Sequence, residues 1–222
     1  MNLLGVISEA WPMLLQGLGM TVRITVISLV IAMVVGIFVC LMNISSFVPL
    51  KFIAKAYIWL IRGTPMLVQA FYIYFAIPQL IQGLTGGPFR ITVVTASTLT
   101  LSLNAGAYIS EIFRGSIEAV NVGQMEAARS LGLSYAKSMQ KIILPQAIRI
   151  CLPSLVNQFI ITLKDSTILY AIGLAEIMNK ASVYVGRTME SFATYTWVAI
   201  FFLAIVTVLS LASRYVERRL KL

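Results

Sequence analysis

The chain has 222 residues, 59% of them hydrophobic and 11% charged, with a net charge of +9. Soluble domains carry about 25% charged and about 45–50% apolar residues, so the composition excludes an ordinary soluble domain and points to a membrane protein. The positive charge follows the loops between apolar runs, which makes it a topology signal and argues against nucleic acid as a partner.

In chain order, no Lys or Arg precedes Arg23, so the basic n-region of a cleavable signal peptide is missing. The N-terminus is expected to stay on the protein. Ser8, Trp11 and Pro12 suit an interfacial segment leading into a first span over residues 24–50. A second uncharged stretch covers residues 56–61 and continues beyond Arg62 to residue 88. Inside it, Pro65 has no N–H for the carbonyl of Ile61, and Gly63 relaxes the backbone. The helix is therefore expected to kink or break at Arg62-Gly63-Thr64-Pro65. The freed carbonyls need a polar neighbour, and Gln69 lies one turn further on. A Pro kink that merely shapes the helix, with Arg62 snorkelling to the cytoplasmic surface, is the competing reading.

The third span is expected over residues 91–110. Asn104, Tyr108 and Glu111 recur at i, i+4 and i+7, a polar stripe with Ala107 beside it. Gly106 and Ser110 form a small-x-x-x-small pair suited to close helix packing. Polar groups in a span are costly and face a cavity or another helix. Either these hydrogen-bond between helices, or Asn104 and Tyr108 line a solute pathway while Glu111 pairs with Arg62 or Arg114.

About 35 residues from Glu111 to Gln146 then interrupt the apolar pattern. Met125, Ala128 and Leu131 fall on one helical face, with Glu126 near the N-terminal end, where the helix dipole favours an acid. Gly132 is expected as a left-handed C′ residue. Ser134 can cap a second helix whose apolar stripe is Tyr135, Met139, Ile142 and Ile143, closed by Pro145. Two short helices joined at a glycine make a rigid knob, and small Ala127 and Ala128 allow close approach by a partner. An amphipathic loop lying on lipid headgroups is the alternative.

A fourth span over residues 150–163 resumes after Lys164 and Asp165 as residues 166–175. Adjacent charges point about 100° apart on a helix and cannot both face lipid cheaply. Asp165, Ser166 or Thr167 is expected to cap a restarted half-helix over residues 168–175. Its N-terminus at the midplane would offer N–H groups to a carboxylate. A structural ion pair with a neighbouring span is the alternative. Residues 192–213 complete five expected spans, against the requirement of about 20 residues to cross roughly 30 Å of hydrocarbon.

Lys51, Lys55, Arg114, Arg129, Lys137, Lys141, Arg149, Arg214, Arg218, Arg219 and Lys221 fall on one side of this scheme. Arg23, Arg90, Lys180 and Arg187 fall on the other, so the N-terminus is expected outside and the C-terminus in the cytoplasm. Cys40 and Cys151 sit in apolar surroundings and there is no His, so neither a disulfide nor a metal site is indicated. No Gly-Lys dipeptide occurs, so no P-loop binds ATP here. No catalytic constellation emerges, and an enzyme is not expected. The expectation is an all-α, single membrane domain over residues 1–222, with a cytoplasmic loop at about 115–146.

Glu126-Ala127-Ala128, three residues, Gly132, nine residues, then Ile142-x-Leu144-Pro145 matches the EAA loop of binding-protein-dependent ABC importer permeases without a departure. "IRGTPMLVQ" (61–69), "SLNAGAYISEIFRGSIEAV" (102–120) and "LKDSTILYAIGLAEI" (163–177) resemble the polar amino-acid branch, the histidine/glutamine/arginine type. "GLGMTVRITVISLVIAMVVG" (17–36) has that branch's opening Gly and Thr, so the resemblance runs over residues 17–215. It implies a permease subunit in the bacterial cytoplasmic membrane. Its loop would act as a coupling helix, docking Glu126, Ala127, Ala128, Gly132, Ile142, Leu144 and Pro145 on a separate ATPase. ATP and magnesium would be held by that ATPase and no cofactor by this chain.

Five helices enclose too little to line a path with gates, so a second copy or a sister permease is expected. An extracytoplasmic binding protein would deliver the amino acid to the outer loops at residues 83–90 and 176–191. The expected path residues are Arg62, Thr64, Pro65, Gln69, Asn104, Tyr108, Glu111, Lys164, Asp165 and Ser166. The rival is an ion-coupled carrier or channel without an ATPase. Against it stand the missing inverted repeat and the elaborate loop.

Overall fold

The computed structural model describes residues 3–220, which are helical with short connections and hold no strand. Lys221, counted above with the cytoplasmic cations, lies outside the described residues. Helix α1 (Leu3–Ile44) is a single 42-residue helix, about 63 Å long and twice the hydrocarbon thickness. The expected interfacial lead-in is therefore replaced by helix, with Pro12 inside it. Packing compensates for the hydrogen bond that Pro12 removes. Val6, Ala10 and Leu14 are buried with Ile177, Ala181, Tyr184, Ala193 and Val198. The indole N–H of Trp197 donates to the Leu3 carbonyl at 2.9 Å, and the Tyr184 hydroxyl donates to Glu9 Oε2 at 2.9 Å.

Helix α1 stops at Ile44 rather than at residue 50, because Pro49 suits the first turn of a new helix, α2 (Val48–Gly63). Lys51 and Lys55 consequently lie on a helix, not in a loop. After the break at Thr64 and Pro65, α3 (Met66–Phe71) passes through a π-turn (Tyr72–Ala76) into α4 (Ile77–Thr85). Helix α5 (Val93–Glu118) follows, with the Thr92 hydroxyl accepting from the Thr95 N–H. Then come α6 (Val122–Ser130), α7 (Tyr135–Ser138), a π-turn (Met139–Ile143) and α8 (Leu144–Asp165). A 3₁₀ segment (Ser166–Ile172), α9 (Ile177–Thr188) and α10 (Ser191–Leu220) complete the chain.

Both π-turns end just before a proline. The Ile77 N–H reaches back to the Tyr72 carbonyl ahead of Pro78, and the Leu144 N–H to the Met139 carbonyl ahead of Pro145. Widening the turn leaves room for a ring that would otherwise press on the carbonyl four residues back. This corrects the expectation that Pro145 closes the second loop helix. Instead the helix runs on, and residues Tyr135–Ile172 form one apolar stretch.

Among the described residues, four helical stretches are long and apolar enough to cross a membrane: Gly5–Ile44, Met66–Thr85, Tyr135–Ile172 and Ser191–Tyr215. The expected third span, α5, is long enough but rich in Ser, Thr, Asn and Gly, and it lies at the centre of the bundle. Gly36 and Gly106 let α1 and α5 close. A Cβ at Gly36 would stand 2.6 Å from Ile109 Cγ2, and one at Gly106 2.8 Å from Val35 Cγ1.

The opening Gly and Thr of residues 17–36 have a physical role of their own. A Cβ on Gly17 would lie 2.6 Å from the Ile177 Cα, and the Thr21 hydroxyl accepts the Ile177 N–H at 3.3 Å. There the buried Glu176 caps α9, accepting from the Met178 and Asn179 N–H groups at 2.9 and 2.7 Å. Burial pushes its pKa up to about 7, opposed by those two donors. The folded value lies above the ordinary 4.5, so the stabilising protonation is complete below about pH 4.5 and lost as pH rises to about 7. The melting temperature of the purified chain is expected to fall across that window, and to fall less steeply in Glu176→Gln. Equal slopes would exclude Glu176 as the cause.

Candidate functional site

The break between α2 and α3 forms where the sequence places it. Thr64 is extended (φ −120°, ψ 144°), as is Pro65 (φ −62°, ψ 138°). Two side chains take up the carbonyls that α2 leaves free. The Thr64 hydroxyl donates to the Leu60 carbonyl at 2.8 Å. Gln69 Nε2 donates to the Ile61 carbonyl at 2.7 Å, the acceptor that Pro65 cannot serve. The same amide stands 3.0 Å from the Thr64 carbonyl and 2.9 Å from its hydroxyl. Its oxygen accepts from Asn104 Nδ2 at 3.0 Å, which ties the break to α5. Gln69 and Asn104 are both buried.

One turn along α5, Tyr108 presents its ring to Arg62, whose guanidinium carbon lies 5.1 Å from the ring centre. Glu111 comes next, and both expected cations meet it. Arg114 makes a forked contact, Nε to Oε1 at 2.9 Å and Nη2 to Oε2 at 3.0 Å. Arg62 Nη1 stands 3.5 Å from Oε2. The polar stripe of α5 therefore faces α2 and α3 along its length, in one continuous seam.

Two residues of this seam were missed by sequence reasoning. Asn43 Nδ2 donates to Glu111 Oε1 at 3.3 Å; its signal was an amide at the end of an otherwise apolar run. Glu118 holds Arg114 Nη1 at 2.6 Å, readable as an Arg/Glu pair spaced i, i+4.

Lys164, Asp165 and Ser166 are arranged otherwise than expected. The helix does not restart after them. It tightens into the 3₁₀ segment, which ends at Gly173 with φ +89°. The Ser166 hydroxyl donates backwards to the Leu163 carbonyl and the Thr167 hydroxyl to the Lys164 carbonyl, both at 2.7 Å. No half-helix N-terminus is exposed there, because the hydroxyls close the preceding turn instead of capping a new one. Lys164 lines a separate cavity with Thr167 and the α10 residues Phe202 and Leu203. Among the described residues neither Lys164 nor Asp165 has an ion-pair partner. The segment touches the seam's neighbourhood through packing, with Leu169 and Ile172 against Met66 and Ala70.

The loop residues divide by exposure. Asn121 caps α6, accepting from the Gly123 N–H at 2.8 Å. Gly132 has φ +84°, as expected. The Leu133 N–H bonds to the Ala128 carbonyl at 3.1 Å and the Gly132 N–H to the Arg129 carbonyl at 3.0 Å, the pair of bonds that defines a Schellman end. Ala128 and Ile142 face inwards with Val120, Ile143 and Met125. Glu126, Ala127, Gly132, Leu144 and Pro145 face outwards. Leu131 departs from the expected inward face, being 84% exposed. It lies past the last helical residue, so the helical period no longer governs it.

Long apolar helices around a partly buried polar seam, with an ordered helical knob beyond them, define a membrane-embedded helical protein. The chain belongs to the family described as "binding-protein-dependent transport system inner membrane component", matched over residues 32–222. It is 37% identical to the arginine transport system permease protein ArtQ of Bacillus subtilis (strain 168), over 95% of this chain and 93% of that one. It is also 37% identical to the glutamine transport system permease protein GlnP of Escherichia coli (strain K12), over 96% and 95% of the two chains. A crystal structure of an amino acid ABC transporter with histidines superposes with a TM-score of 0.92 at 37% identity, covering 99% of each chain. The MetNI methionine ABC transporter in an inward-facing form shares the fold, with a TM-score of 0.69 at 18% identity.

Proposed function

We propose that this chain is the transmembrane permease subunit of an ATP-driven importer that carries a polar amino acid across the bacterial cytoplasmic membrane. The observation that carries the reading is the α6 knob, whose Schellman end turns Glu126, Ala127 and Leu131 outwards on an ordered scaffold. The knob's exposed face mixes Gln124, Glu126 and Arg129 with Val122, Leu131 and Tyr135, whereas a headgroup-lying loop would direct a purely apolar face to lipid. The named relatives that transport arginine and glutamine support the amino-acid class.

In this reading the chain is one domain with five spans, α5 being the third, shielded from lipid by its neighbours. The N-terminus is outside and the C-terminus inside. Two copies, or this chain and a sister permease, enclose the path. An extracytoplasmic binding protein delivers the amino acid, and two ATPase subunits dock on the EAA loop. The seam of Arg62, Thr64, Pro65, Gln69, Asn104, Tyr108 and Glu111 lines the path, with Lys164, Asp165 and Ser166 beside its gate. Nucleotide binding by the ATPase biases one global state, and the knob carries that bias into the spans.

The test combines topology with transport. In a Cys-free background, a membrane-impermeant thiol reagent applied from outside is expected to label a cysteine placed at residue 87 and spare one placed at residue 137. Vesicles holding the permease, the ATPase and the binding protein are expected to accumulate a labelled polar amino acid only when ATP is supplied on the knob side. Uptake without the ATPase, or the reverse labelling pattern, would defeat the reading.

A further inference from the structure

We propose that the cavity between α2 and the C-terminal ends of α1 and α5 holds the head group of an anionic phospholipid, gripped by Lys51 and Lys55. The cavity measures about 670 Å³, and its walls include both lysines, Asn43, Trp59 and Arg114. The site depends on the chain being embedded in a bilayer and not on its dependence upon an ATPase.

Charge decides the class of ligand. On the α5 wall the two carboxylates, Glu111 and Glu118, are both taken by Arg114, with Arg62 also at Glu111. Lys51 and Lys55 are exposed, and among the described residues neither has a carboxylate within 4.0 Å. The lining carries three cations, Lys51, Lys55 and Arg114, against two carboxylates, and because arginines hold both carboxylates the two lysine charges are left together on one wall. Lys51, Lys55 and Trp59 recur at i, i+4 and i+8, so they form a single stripe of α2 facing the cavity. Each ammonium offers three donors on a flexible stem, which suits the oxygens of a phosphate diester.

Apolar surface decides between a lipid and a soluble anion. Trp59 is 76% exposed at the mouth of the cavity, and an indole beside lysines is the pattern of a membrane–water interface. Phe47, Val48 and Phe52 on the same stretch of chain are also largely exposed. They give acyl chains a flank to lie on, which a free phosphate has no use for. Basic pockets between helices at the membrane surface hold lipid head groups through this combination of charge and apolar flank.

The purified full chain, equilibrated in detergent with phosphatidylglycerol or with phosphatidylcholine, is examined by native mass spectrometry. Phosphatidylglycerol adducts are expected to predominate, and to weaken by about 30-fold in the Lys51→Gln/Lys55→Gln variant, since each surface cation contributes about fivefold. Lys180→Gln, on α9, is expected to keep them. The double variant should melt with the wild type, because neither lysine side chain is paired with a carboxylate among the described residues. Equal adducts with the two lipids, or adducts that survive in the double variant, overturn the proposal. So does displacement by excess inorganic phosphate, which would mark a small-anion site. A Lys55→Cys disulfide between copies would do the same, because a second copy would then cover the cavity.

Discussion

Gln69→Glu is expected to abolish uptake at neutral pH and, like Gln69→Leu, to lower the stability of the purified chain. Gln69 Nε2 stands within 3.0 Å of three oxygens, the Ile61 carbonyl and the carbonyl and hydroxyl of Thr64. A carboxylate there would turn an acceptor towards two carbonyls that can donate nothing. It would also be a buried charge with the Asn104 amide as a donor but no cation beside it, a defect of about 3–5 kcal/mol by comparison with broken buried pairs. Gln69→Leu removes the charge problem but leaves the Ile61 carbonyl and the Asn104 amide unpaired, at about 1–3 kcal/mol for each group.

The two variants separate electrostatics from capping. Protonation gives the introduced carboxyl an O–H that can serve one of the three oxygens, so the glutamate variant should regain part of its stability as pH falls towards about 5, while the leucine variant should not. Thermal melting across pH and uptake in vesicles are the measurements. A leucine variant that melts with the wild type would mean that Gln69 does not hold the break.

The break itself was legible because proline chemistry is local. Pro65 removes one donor, the orphaned carbonyl is fixed at Ile61, and a side chain one turn on is within reach of it. The partners of Glu111 were legible for a similar reason, since helical spacing brings Arg114 to it. Other prolines behaved differently. Pro78 and Pro145 end no helix, because a π-turn ahead of each opens room for the ring. Pro65 differs from them in being preceded by Gly63 and Thr64, which relax the backbone and supply a hydroxyl to the Leu60 carbonyl.

The half-helix expected after Asp165 failed on another ground. Ser166 and Thr167 can bond forwards as caps or backwards to carbonyls, and here they bond backwards. That choice follows from Leu169 and Ile172 being packed against Met66 and Ala70, which are about a hundred residues away in sequence. The N-terminal turns of α1 were misjudged for the same reason. Their partners on α9 and α10 lie far along the chain, so the packing that overrides Pro12 was invisible locally. Gly17 and Thr21 show how a short motif can carry such long-range information, since each meets the backbone of Ile177.

Gly132→Val is expected to leave a chain that inserts and pairs normally but transports nothing. An added Cβ at Gly132 would meet no atom within 4 Å, so the cost lies in the backbone alone. At φ +84° a residue with a Cβ pays about 1–2 kcal/mol, and a β-branched one is a stronger outlier still. The cheapest relief is to abandon the left-handed turn. That breaks the bonds from Leu133 to Ala128 and from Gly132 to Arg129, and re-aims Leu131, Tyr135 and the exposed face of α6. Loss of those bonds touches little of the buried bundle, so melting should change by no more than the local term. A shaped groove on an ATPase is intolerant of such a change, whereas a lipid surface would accept the added apolar area. Gly132→Asn is the matched control, because asparagine enters the left-handed region at lower cost. It is expected to keep most of the uptake. Co-purification of the ATPase and ATP-driven uptake in vesicles decide the matter. If valine and asparagine variants both bind the ATPase and transport at the wild-type rate, the shape of this turn is irrelevant to coupling and the knob does not dock.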